Sequence, residues 1–265
     1  MKRILNYPGS KWNMARYIIS LMPPHTTYLE PFFGSGAVFF NKEPSKIETI
    51  NDIDGRIVNF FKQCRNHPVE LSQLIQLTPL SREEYQLSYE ISDDPLEDVR
   101  RMMVRSWQAI GGKTSDHTGW RANIDLNGSK TTEWNHIDER ILAVASRLKD
   151  AQIEHQDAFK LLERYNRPDV LTYVDPPYLM STRSKRHYAY EFSDADHESL
   201  LKQLVDFKGK VILSGYASDM YEEYLSDWNH EMRIASVETG SKRTEVLWCN
   251  FIAETSTKQM ELLRM

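Results

Sequence analysis

The sequence predicts an α/β protein with a mostly parallel sheet, helices on both faces and one mainly helical insert. Short runs rich in β-branched and aromatic residues alternate with segments of helical apolar spacing, which is typical of βαβ units. The alternation stops over residues 57–149, where amphipathic helices replace strands. Two of the predicted strands end in unusual turns, one with two glycines and one with two adjacent prolines.

Six short runs are predicted as strands from their composition and their flanking turn residues. They are residues 26–30, 47–52, 152–156, 171–174, 210–214 and 245–251. Apolar spacing predicts helices over 12–22 and 194–207, the second with Ser193 or Asp194 as its N-cap. The sheet-forming domain therefore combines residues 1–56 and 150–265.

Two amphipathic helices are predicted in the insert, residues 57–149. The apolar stripe of the first contains Val99, Met102, Met103, Trp107 and Ile110, and that of the second contains Ile137, Ile141, Val144, Ala145 and Leu148. Gly111-Gly112 is predicted to end the first helix. Asn127-Gly128, in the polar, basic and aromatic segment between the helices, predicts a type I′ hairpin.

The composition is that of an ordinary soluble protein, with 40% apolar and 27% charged residues among 265. No apolar run reaches the roughly 18 residues of a membrane span, and the basic N-terminus develops no signal-peptide core. Cys64 and Cys249 lie far apart in the sequence, which suits reduced thiols and predicts a cytoplasmic protein. The net charge of −5 argues against indiscriminate coating of nucleic acid, although it is compatible with a local basic cleft. A monomer is the default expectation.

The first unusual turn lies in YLEPFFGSG, residues 28–36, where Gly34 and Gly36 follow a predicted strand. Phe39 stands where a dinucleotide fingerprint has its third glycine, but two glycines still let a nucleoside approach the backbone closely. Asp52 ends the next strand, near the spacing of about 20 residues at which an acid meets ribose hydroxyls. These features favour a nucleoside-type cofactor, and a helix N-cap is the alternative role for Asp52.

The segment NYPGSKW, residues 6–12, contributes Tyr7 and Lys11. The Tyr7 ring can stack on a planar group. Lys11 is expected where the first helix begins, a position at which the helix dipole disfavours a cation. Its presence there suggests a function, with a solvated lysine as the alternative.

The second unusual turn, Asp175-Pro-Pro-Tyr178, follows the predicted strand 171–174. Neither proline donates a backbone N–H and both fix φ near about −65°, so the strand ladder ends there. The Asp175 carboxylate and the neighbouring carbonyls are thus held stiffly beyond the carboxyl end of a strand, where open α/β sheets bind ligands. A rigid turn alone would explain the prolines but not the acceptors followed by an aromatic residue.

The order of these motifs resembles that of Dam-like adenine-N6 DNA methyltransferases, the α-group or D12 class. The matching segments are Tyr7-Pro-Gly-Ser-Lys11, Glu30-Pro-Phe-Phe-Gly34-Ser-Gly36, Asn51-Asp52 and Asp175-Pro-Pro-Tyr178, with weaker likeness in 192–201 and 242–251. The resemblance spans nearly the whole chain outside residues 60–150. It implies a Rossmann-like S-adenosylmethionine-dependent methyltransferase sheet whose insert is a DNA target-recognition domain.

The resemblance also implies which residues hold the cofactor. S-adenosylmethionine would lie over the two glycines with its ribose on Asp52, while Asp157 would match the acid near the cofactor's adenine. The implied cofactor-binding residues are Tyr7, Lys11, Glu30, Phe32, Gly34, Gly36, Asp52, Asp157 and Asp175. No metal is expected in the reaction.

The implied chemistry explains the Asp-Pro-Pro-Tyr turn. A base inside a duplex is unreachable, so the target adenine would be flipped out. Its amino group is an N–H donor and a poor nucleophile, because its lone pair is delocalised into the ring. The Asp175 carboxylate and the Pro176 carbonyl would accept its two hydrogens, with Pro176 and Pro177 keeping these acceptors rigid. Tyr178 would stack on the flipped ring.

Double-stranded DNA is the implied partner, and two segments supply candidate contacts. Basic and aromatic side chains suit phosphates and bases, whereas arginine and asparagine can also pair with base edges. In the insert the candidates are Lys113, Trp120, Arg121, Asn123, Asn127 and Lys130, and after the proline turn they are Arg183, Lys185 and Arg186. A solvated surface loop is the alternative for the second group.

Several other functions are alternatives to adenine methylation. Cytosine-N4 methyltransferases more often carry serine in place of Asp175, and protein-amide methyltransferases usually carry asparagine there; an RNA methyltransferase is a further option. A catalytically silent DNA-binding protein of the same fold would be expected to have a broken motif. A nuclease is disfavoured because no acid cluster has metal-ligand spacing. The target sequence, and a housekeeping, restriction–modification or phage-protective role, stay open.

Overall fold

A seven-stranded sheet forms the centre of the protein. The structure is a computed structural model that describes residues 1–110, 117–122, 133–182, 188–236 and 242–253. The strands are β1 (Thr27–Glu30), β2 (Ile47–Asn51), β3 (Gln152–Glu154), β4 (Val170–Val174), β5 (Lys210–Gly215), β6 (Asn229–Ser236) and β7 (Lys242–Cys249). Their order is β3-β2-β1-β4-β5-β7-β6, in which β1 to β5 are parallel and β7 is antiparallel to both of its neighbours.

Most helices of the described part begin where a side-chain oxygen accepts hydrogen bonds from the first turn. The helices are α1 (Ala15–Ser20), α2 (Gly55–Asn66), α3 (Pro68–Leu77), α4 (Arg82–Leu87), α5 (Pro95–Gln108), α6 (Asp138–Leu148), α7 (Ala158–Arg164), α8 (Asp194–Val205) and α9 (Asp219–Tyr224). Their side-chain N-caps are Asp54, Ser81, Asp94, Asp157, Ser193 and Ser218. Such caps satisfy backbone N–H groups that have no partner within the helix. Ser193, one of the two predicted caps of α8, forms a reciprocal capping box with Asp196.

Buried clusters cover both faces of the sheet, because successive strand residues point to opposite sides. Tyr28 of β1 and Tyr173 of β4 belong to the cluster under α1 to α6, whereas Leu29 and Val174 belong to the cluster under α7 to α9. The predicted arrangement of a mostly parallel sheet with helices on both faces is therefore confirmed. No helix in the described ranges is long and apolar enough to cross a bilayer.

The helices of the predicted insert extend the first of these cores. Phe61 of α2, Trp107 of α5 and Ile141 of α6 lie in the same buried cluster as Tyr28 of the sheet. The Trp107 indole N–H also donates to the carbonyl of Ile4 at 2.8 Å, which fixes α5 to the N-terminal segment. The insert is thus seated on the sheet, and its boundaries at 57 and 149 stay predictions.

The structure differs from the predicted elements at several points. Strand β6 was missed, because its sequence NHEMRIAS mixes polar and apolar residues without a clear buried face, and β7 starts and ends earlier than predicted. Helix α5 ends at Gln108, so Ile110 is 58% exposed and does not continue the apolar stripe. Residues 111–112 and 127–128, predicted to end a helix and to form a hairpin, lie outside the described residues.

The strand order places the ligand-binding edge between β1 and β4. From β1 the chain runs outward through β2 to β3, and it returns to the other side of β1 as β4. Open α/β sheets bind ligands at such a reversal, beyond the carboxyl ends of the strands. Glu30 ends β1 and Asp175 directly follows β4, so the two unusual turns of the sequence meet at this edge.

Candidate active site

A pocket of about 250 Å³ opens at the carboxyl ends of β1, β2 and β4. Most of the predicted cofactor residues line it, together with one of the two prolines. They are Tyr7, Lys11, Glu30, Phe32, Gly34, Asp52, Asp157, Asp175 and Pro177. Segments far apart in the sequence therefore converge on a single cavity.

The turn after β1 needs glycine at Gly34 because its φ is +51°. A Cβ there would also approach the Tyr7 ring to 3.2 Å. Gly36 has a φ of +65° as well, but a Cβ at this position would collide with Phe33 and Phe40 of the core. Gly34 lines the pocket, whereas Gly36, a predicted cofactor residue, is not among the lining residues. Its positive φ and its packing against aromatic rings explain the glycine at position 36.

Asp52 links the glycine turn to the end of β2. Its carboxylate accepts hydrogen bonds from the backbone N–H of Gly34 at 2.8 Å and of Asp54 at 2.9 Å. Burial raises the pKa of Asp52 to about 6, although these two N–H groups act to lower it. The N-cap of α2 is Asp54 and not Asp52, so the alternative role considered for Asp52 is wrong.

Lys11 joins two carboxylates, of which Glu245 is buried and Asp175 is partly exposed. Its ammonium lies 3.0 Å from the carboxylate of Asp175 and 3.2 Å from that of Glu245, and it donates to the carbonyl of Gly9 at 2.7 Å. Helix α1 begins at Ala15, so the expectation that Lys11 occupies a helix N-terminus is wrong. The ion pairs with Asp175 and Glu245 position the Lys11 side chain instead.

The protonation behaviour of these groups follows from burial and mutual charge. Burial acts to lower the pKa of Lys11, but Asp175 and Glu245 outweigh it and raise that pKa well above its ordinary value. Burial and the charge of Glu245 raise the pKa of Asp175 to about 6, against the opposing effect of Lys11. Burial likewise raises the pKa of Glu30 to about 8, although Tyr28 donates a hydrogen bond to its carboxylate. The centre thus holds a cation together with more acid than that cation neutralises.

The Asp-Pro-Pro-Tyr turn occupies the wall beside this ion cluster. Pro176 is buried and Pro177 lines the pocket. The Tyr178 hydroxyl donates to Glu245, and its ring packs edge-on against Tyr216 with centroids 4.6 Å apart. The Lys11 ammonium lies 4.8 Å from the centre of the Tyr178 ring. Several contacts therefore orient this tyrosine.

Aromatic residues also line the pocket. Phe32 meets Phe192 edge-on at 5.4 Å, and Phe192 stacks parallel to Phe159 at 6.0 Å. Asp157 starts α7 by accepting from the backbone N–H groups of its first turn, and its exposed side chain also borders the pocket. A flat ring placed here would meet apolar faces, with a carboxylate at the rim.

The described lining of the pocket is strongly acidic. It contains one lysine, Lys11, and the seven carboxyl groups of Glu30, Asp52, Asp54, Asp157, Asp175, Glu191 and Asp196. Acid in this excess favours a positively charged ligand. In the described ranges, no group of three or more His, Cys, Asp or Glu side chains is arranged to hold a metal ion; independence from a metal stays a prediction.

Two of the predicted DNA contacts lie in the described residues, beside the end of α5. Trp120 forms an antiparallel bridge with Ala109, and its indole N–H donates to the Gln108 side chain at 3.2 Å. The Arg121 guanidinium donates to the carbonyl of Ala109 at 3.0 and 3.2 Å. Their DNA contacts stay predictions. Lys113, Asn123, Asn127, Lys130, Arg183, Lys185 and Arg186 lie outside the described residues.

Glu245 is the residue that sequence reasoning missed. It sits in an apolar run, EVLWCNF, and is 4% exposed in β7. An acid within a predicted buried strand is itself unusual, because a buried charge costs free energy unless it is paired. An acid in a buried strand was the sequence signal that could have marked Glu245 as a site residue. Its partners could not be predicted, because they come from segments that only the fold brings together.

The comparison with known proteins decides the family. The model of the D12 class N6 adenine-specific DNA methyltransferases matches residues 7–241. The chain belongs to this family. It is an adenine-specific DNA methyltransferase, and the cytosine-N4 and silent-binder alternatives are not favoured.

Curated relatives agree with this assignment. A type II methyltransferase of Lactococcus lactis subsp. cremoris is 28% identical over 278 residues, covering 95% of this methyltransferase and 96% of the relative. A type II methyltransferase of Methanocaldococcus jannaschii is 26% identical and covers 89% and 91% of the two chains. A DNA N-6-adenine-methyltransferase of Escherichia phage P1 is 23% identical, over 85% of this chain but 31% of the phage protein.

Proposed function

We propose that this methyltransferase transfers the methyl group of S-adenosylmethionine to N6 of an adenine rotated out of double-stranded DNA. The observation that carries the proposal is the acid-rich pocket that ends at Asp175 and Pro177, beyond the carboxyl ends of β1 and β4. The finer parts of the proposal are the donor, the duplex substrate and the role of each residue.

The residues of the pocket fit the proposed donor. When bound, S-adenosylmethionine supplies an electrophilic methyl group on a positively charged sulfonium. The excess of carboxyl groups in the described lining suits that charge. Gly34 lines the pocket and has no side chain, so a ligand can approach its backbone closely. The Asp52 carboxylate retains acceptor capacity for ribose hydroxyls, and Phe32 and Phe159 offer apolar faces to the adenine ring.

Asp175 is proposed as the acceptor that orients the adenine amino group. Its carboxylate is 18% exposed and lies at the pocket, so one oxygen can accept an N6 hydrogen while Lys11 holds the other. The carbonyl of Pro176 is the proposed second acceptor. Acceptors fixed before the substrate arrives do not have to reorganise during the reaction. With a pKa of about 6, Asp175 is ionised at neutral pH and can take the proton that N6 releases after methylation.

Tyr178 is proposed to stack on the displaced base. Its ring already has Lys11 and Tyr216 as neighbours, and its hydroxyl is held by Glu245. A ring whose orientation is fixed by these contacts does not have to reorient before another ring stacks on it. Base–aromatic stacking stabilises an unstacked nucleotide by about 1 to 3 kcal/mol, which helps to offset the cost of extrusion.

DNA contacts are assigned to the helical insert and to the basic segment after the proline turn. Trp120 and Arg121 are fixed to the end of α5, so a duplex gripped by this segment would be held in a defined place relative to the sheet. In the sequence, the basic segment 183–187 connects the proline turn to residues 188–192, which line the pocket. We also propose that the enzyme is a monomer, that it is cytoplasmic and that it needs no metal.

Expression in a methylation-deficient bacterium, followed by single-molecule sequencing, tests the proposal. We expect N6-methyladenine confined to one short sequence, and none from the Asp175→Ala variant. A duplex carrying 2-aminopurine at the mapped position should then gain fluorescence when the protein binds, because the base leaves the stack. Methylated cytosine, or a mark on RNA alone, would overturn the proposed substrate. An unchanged 2-aminopurine signal in a bound duplex would overturn base extrusion.

A further inference from the structure

Glu245 stands at the end of the ion cluster, in a strand that does not adjoin β4. It belongs to β7, which is separated from β4 by β5. Its side chain is 5% exposed and reaches the ammonium of Lys11 at 3.2 Å. The Tyr178 hydroxyl donates to the same carboxylate oxygen. One buried acid thus contacts two residues of the proposed reaction centre.

These two contacts give the buried charge its compensation. An unpaired buried carboxylate is strongly unfavourable, and well-packed apolar residues often stabilise a core as much as an ion pair does. The hydrogen-bonding and ionic partners of Glu245 among the described residues are Lys11 and Tyr178. Lys11 lines the pocket, and Tyr178 directly follows the lining residue Pro177 in the chain. The Glu245 carboxylate is therefore directed at the reaction centre and not at a separate structural contact.

We propose that Glu245 is a positioning residue for methyl transfer, which orients the Tyr178 ring through its hydroxyl and shares Lys11 with Asp175. The inference rests on the proposed roles of Asp175 and Tyr178. Without Glu245, Lys11 would pair with Asp175 alone and draw that carboxylate away from the incoming amino group. The Tyr178 ring would also lose the contact that fixes its hydroxyl.

The pH dependence of the reaction distinguishes this role from simple packing. The charged or titratable groups that act on Asp175 come from several elements: Lys11, Glu30, Tyr173, Tyr178, Tyr221 and Glu245. After burial and Lys11, the charge of Glu245 is the next largest influence on the pKa of Asp175, and it acts to raise that pKa. Removing this charge lowers the pKa of Asp175, since a like charge disfavours the ionised form. The acid limb of the rate profile should then move to lower pH.

Glu245→Gln tests the inference, with Glu48→Gln as the matched control. Glu48 is also a buried strand carboxylate bound by cations, but its partners Lys42 and Arg147 lie outside the pocket lining. We expect Glu245→Gln to lower kcat about 10- to 100-fold, the scale of a small misplacement of reacting groups. The KM values for S-adenosylmethionine and DNA should change by less than about threefold, and the acid limb of kcat/KM for the cofactor should move down by about one pH unit. Glu48→Gln should leave the acid limb in place.

A second variant covers the case in which Glu245→Gln does not fold. Tyr178→Phe keeps the ring and removes only the hydroxyl, which donates a hydrogen bond to Glu245. We therefore expect kcat to fall with little change in KM. Where both variants fold, the double variant should lose less activity than the product of the single losses, because the residues act as one pair.

Three results would overturn the inference. They are an acid limb of Glu245→Gln that coincides with that of the wild type, an equal shift of the acid limb in Glu48→Gln, and full kcat in Tyr178→Phe. If the wild-type protein itself did not methylate DNA, the result would instead overturn the proposed function.

Discussion

Two ion clusters in the same fold have opposite charge balance. At the outer part of the sheet, Glu48 of β2 receives two cations, Lys42 and Arg147. At the reaction centre, Lys11 is the cation shared by the two carboxylates Asp175 and Glu245. The first cluster compensates its carboxylate fully, whereas the second leaves negative charge uncompensated in a poorly hydrated place.

The protonation of the two clusters shows the consequence. Burial acts to raise the pKa of Glu48, but Arg147 and Lys42 outweigh it and lower that pKa. Asp175 has one cation and a competing carboxylate, so burial prevails and its pKa rises to about 6. The first arrangement stabilises the fold. The second stores electrostatic repulsion that a positively charged ligand would relieve, which is the expected signature of a binding site.

The largest effect should come from Asp175→Asn, which preserves shape and removes the charge. We expect methyl transfer to fall at least about 10²- to 10³-fold, the loss seen when one preorganised polar group of a reaction centre is removed. Transfer of labelled methyl groups to a duplex containing the mapped target measures it, and a cooperative urea unfolding transition of the variant serves as the control for folding. Activity within tenfold of the wild type would show that the uncompensated charge is not required for the reaction.

Glu48→Gln should have the opposite profile, a large loss of stability with little loss of activity. Removing one partner of a buried ion cluster leaves Lys42 and Arg147 without their carboxylate, at a cost of about 3 kcal/mol in free energy of unfolding. Urea denaturation at pH 7.5 measures the loss, and kcat of the folded variant is the control. A variant as stable as the wild type would remove the distinction drawn between the clusters.

The stability of Asp175→Asn should depend on pH in a defined direction. The folded-state pKa of Asp175 is raised from 3.8 to about 6, so the wild type loses free energy of unfolding as the pH rises through this window. Asparagine does not titrate. We compare the free energy of unfolding of the variant with that of the wild type at each pH. Relative to the wild type, the variant should be about 1 to 2 kcal/mol more stable at pH 8 than it is at pH 4. Denaturation at the two pH values measures it, and a constant difference would contradict the raised pKa.

The sequence was sufficient for the features that a local pattern determines. Proline chemistry located Asp175 beyond a strand end, the two glycines marked the turn after β1, and apolar spacing located α5 and α6. It was insufficient where a contact joins distant segments. Lys11 was assigned to a helix terminus because its partners Asp175 and Glu245 are far away in the chain and meet it only across the sheet. The charge balance of the cluster likewise depends on three segments that are distant in the sequence and contain Lys11, Asp175 and Glu245.

The smallest effect concerns Asp52, whose partners are neither cations nor carboxylates but backbone N–H groups. Gly34 supplies one of them at 2.8 Å from a φ of +51°. Alanine at position 34 would be strained by about 1 kcal/mol and would press on the Tyr7 ring. The Kd for S-adenosylmethionine should rise about five- to tenfold in Gly34→Ala, as calorimetry would measure. Gly55→Ala is the matched control, since a Cβ there meets His155 at an ordinary 3.4 Å and its φ is not positive. Equal affinities of the two variants would show that the turn after β1 does not hold the cofactor.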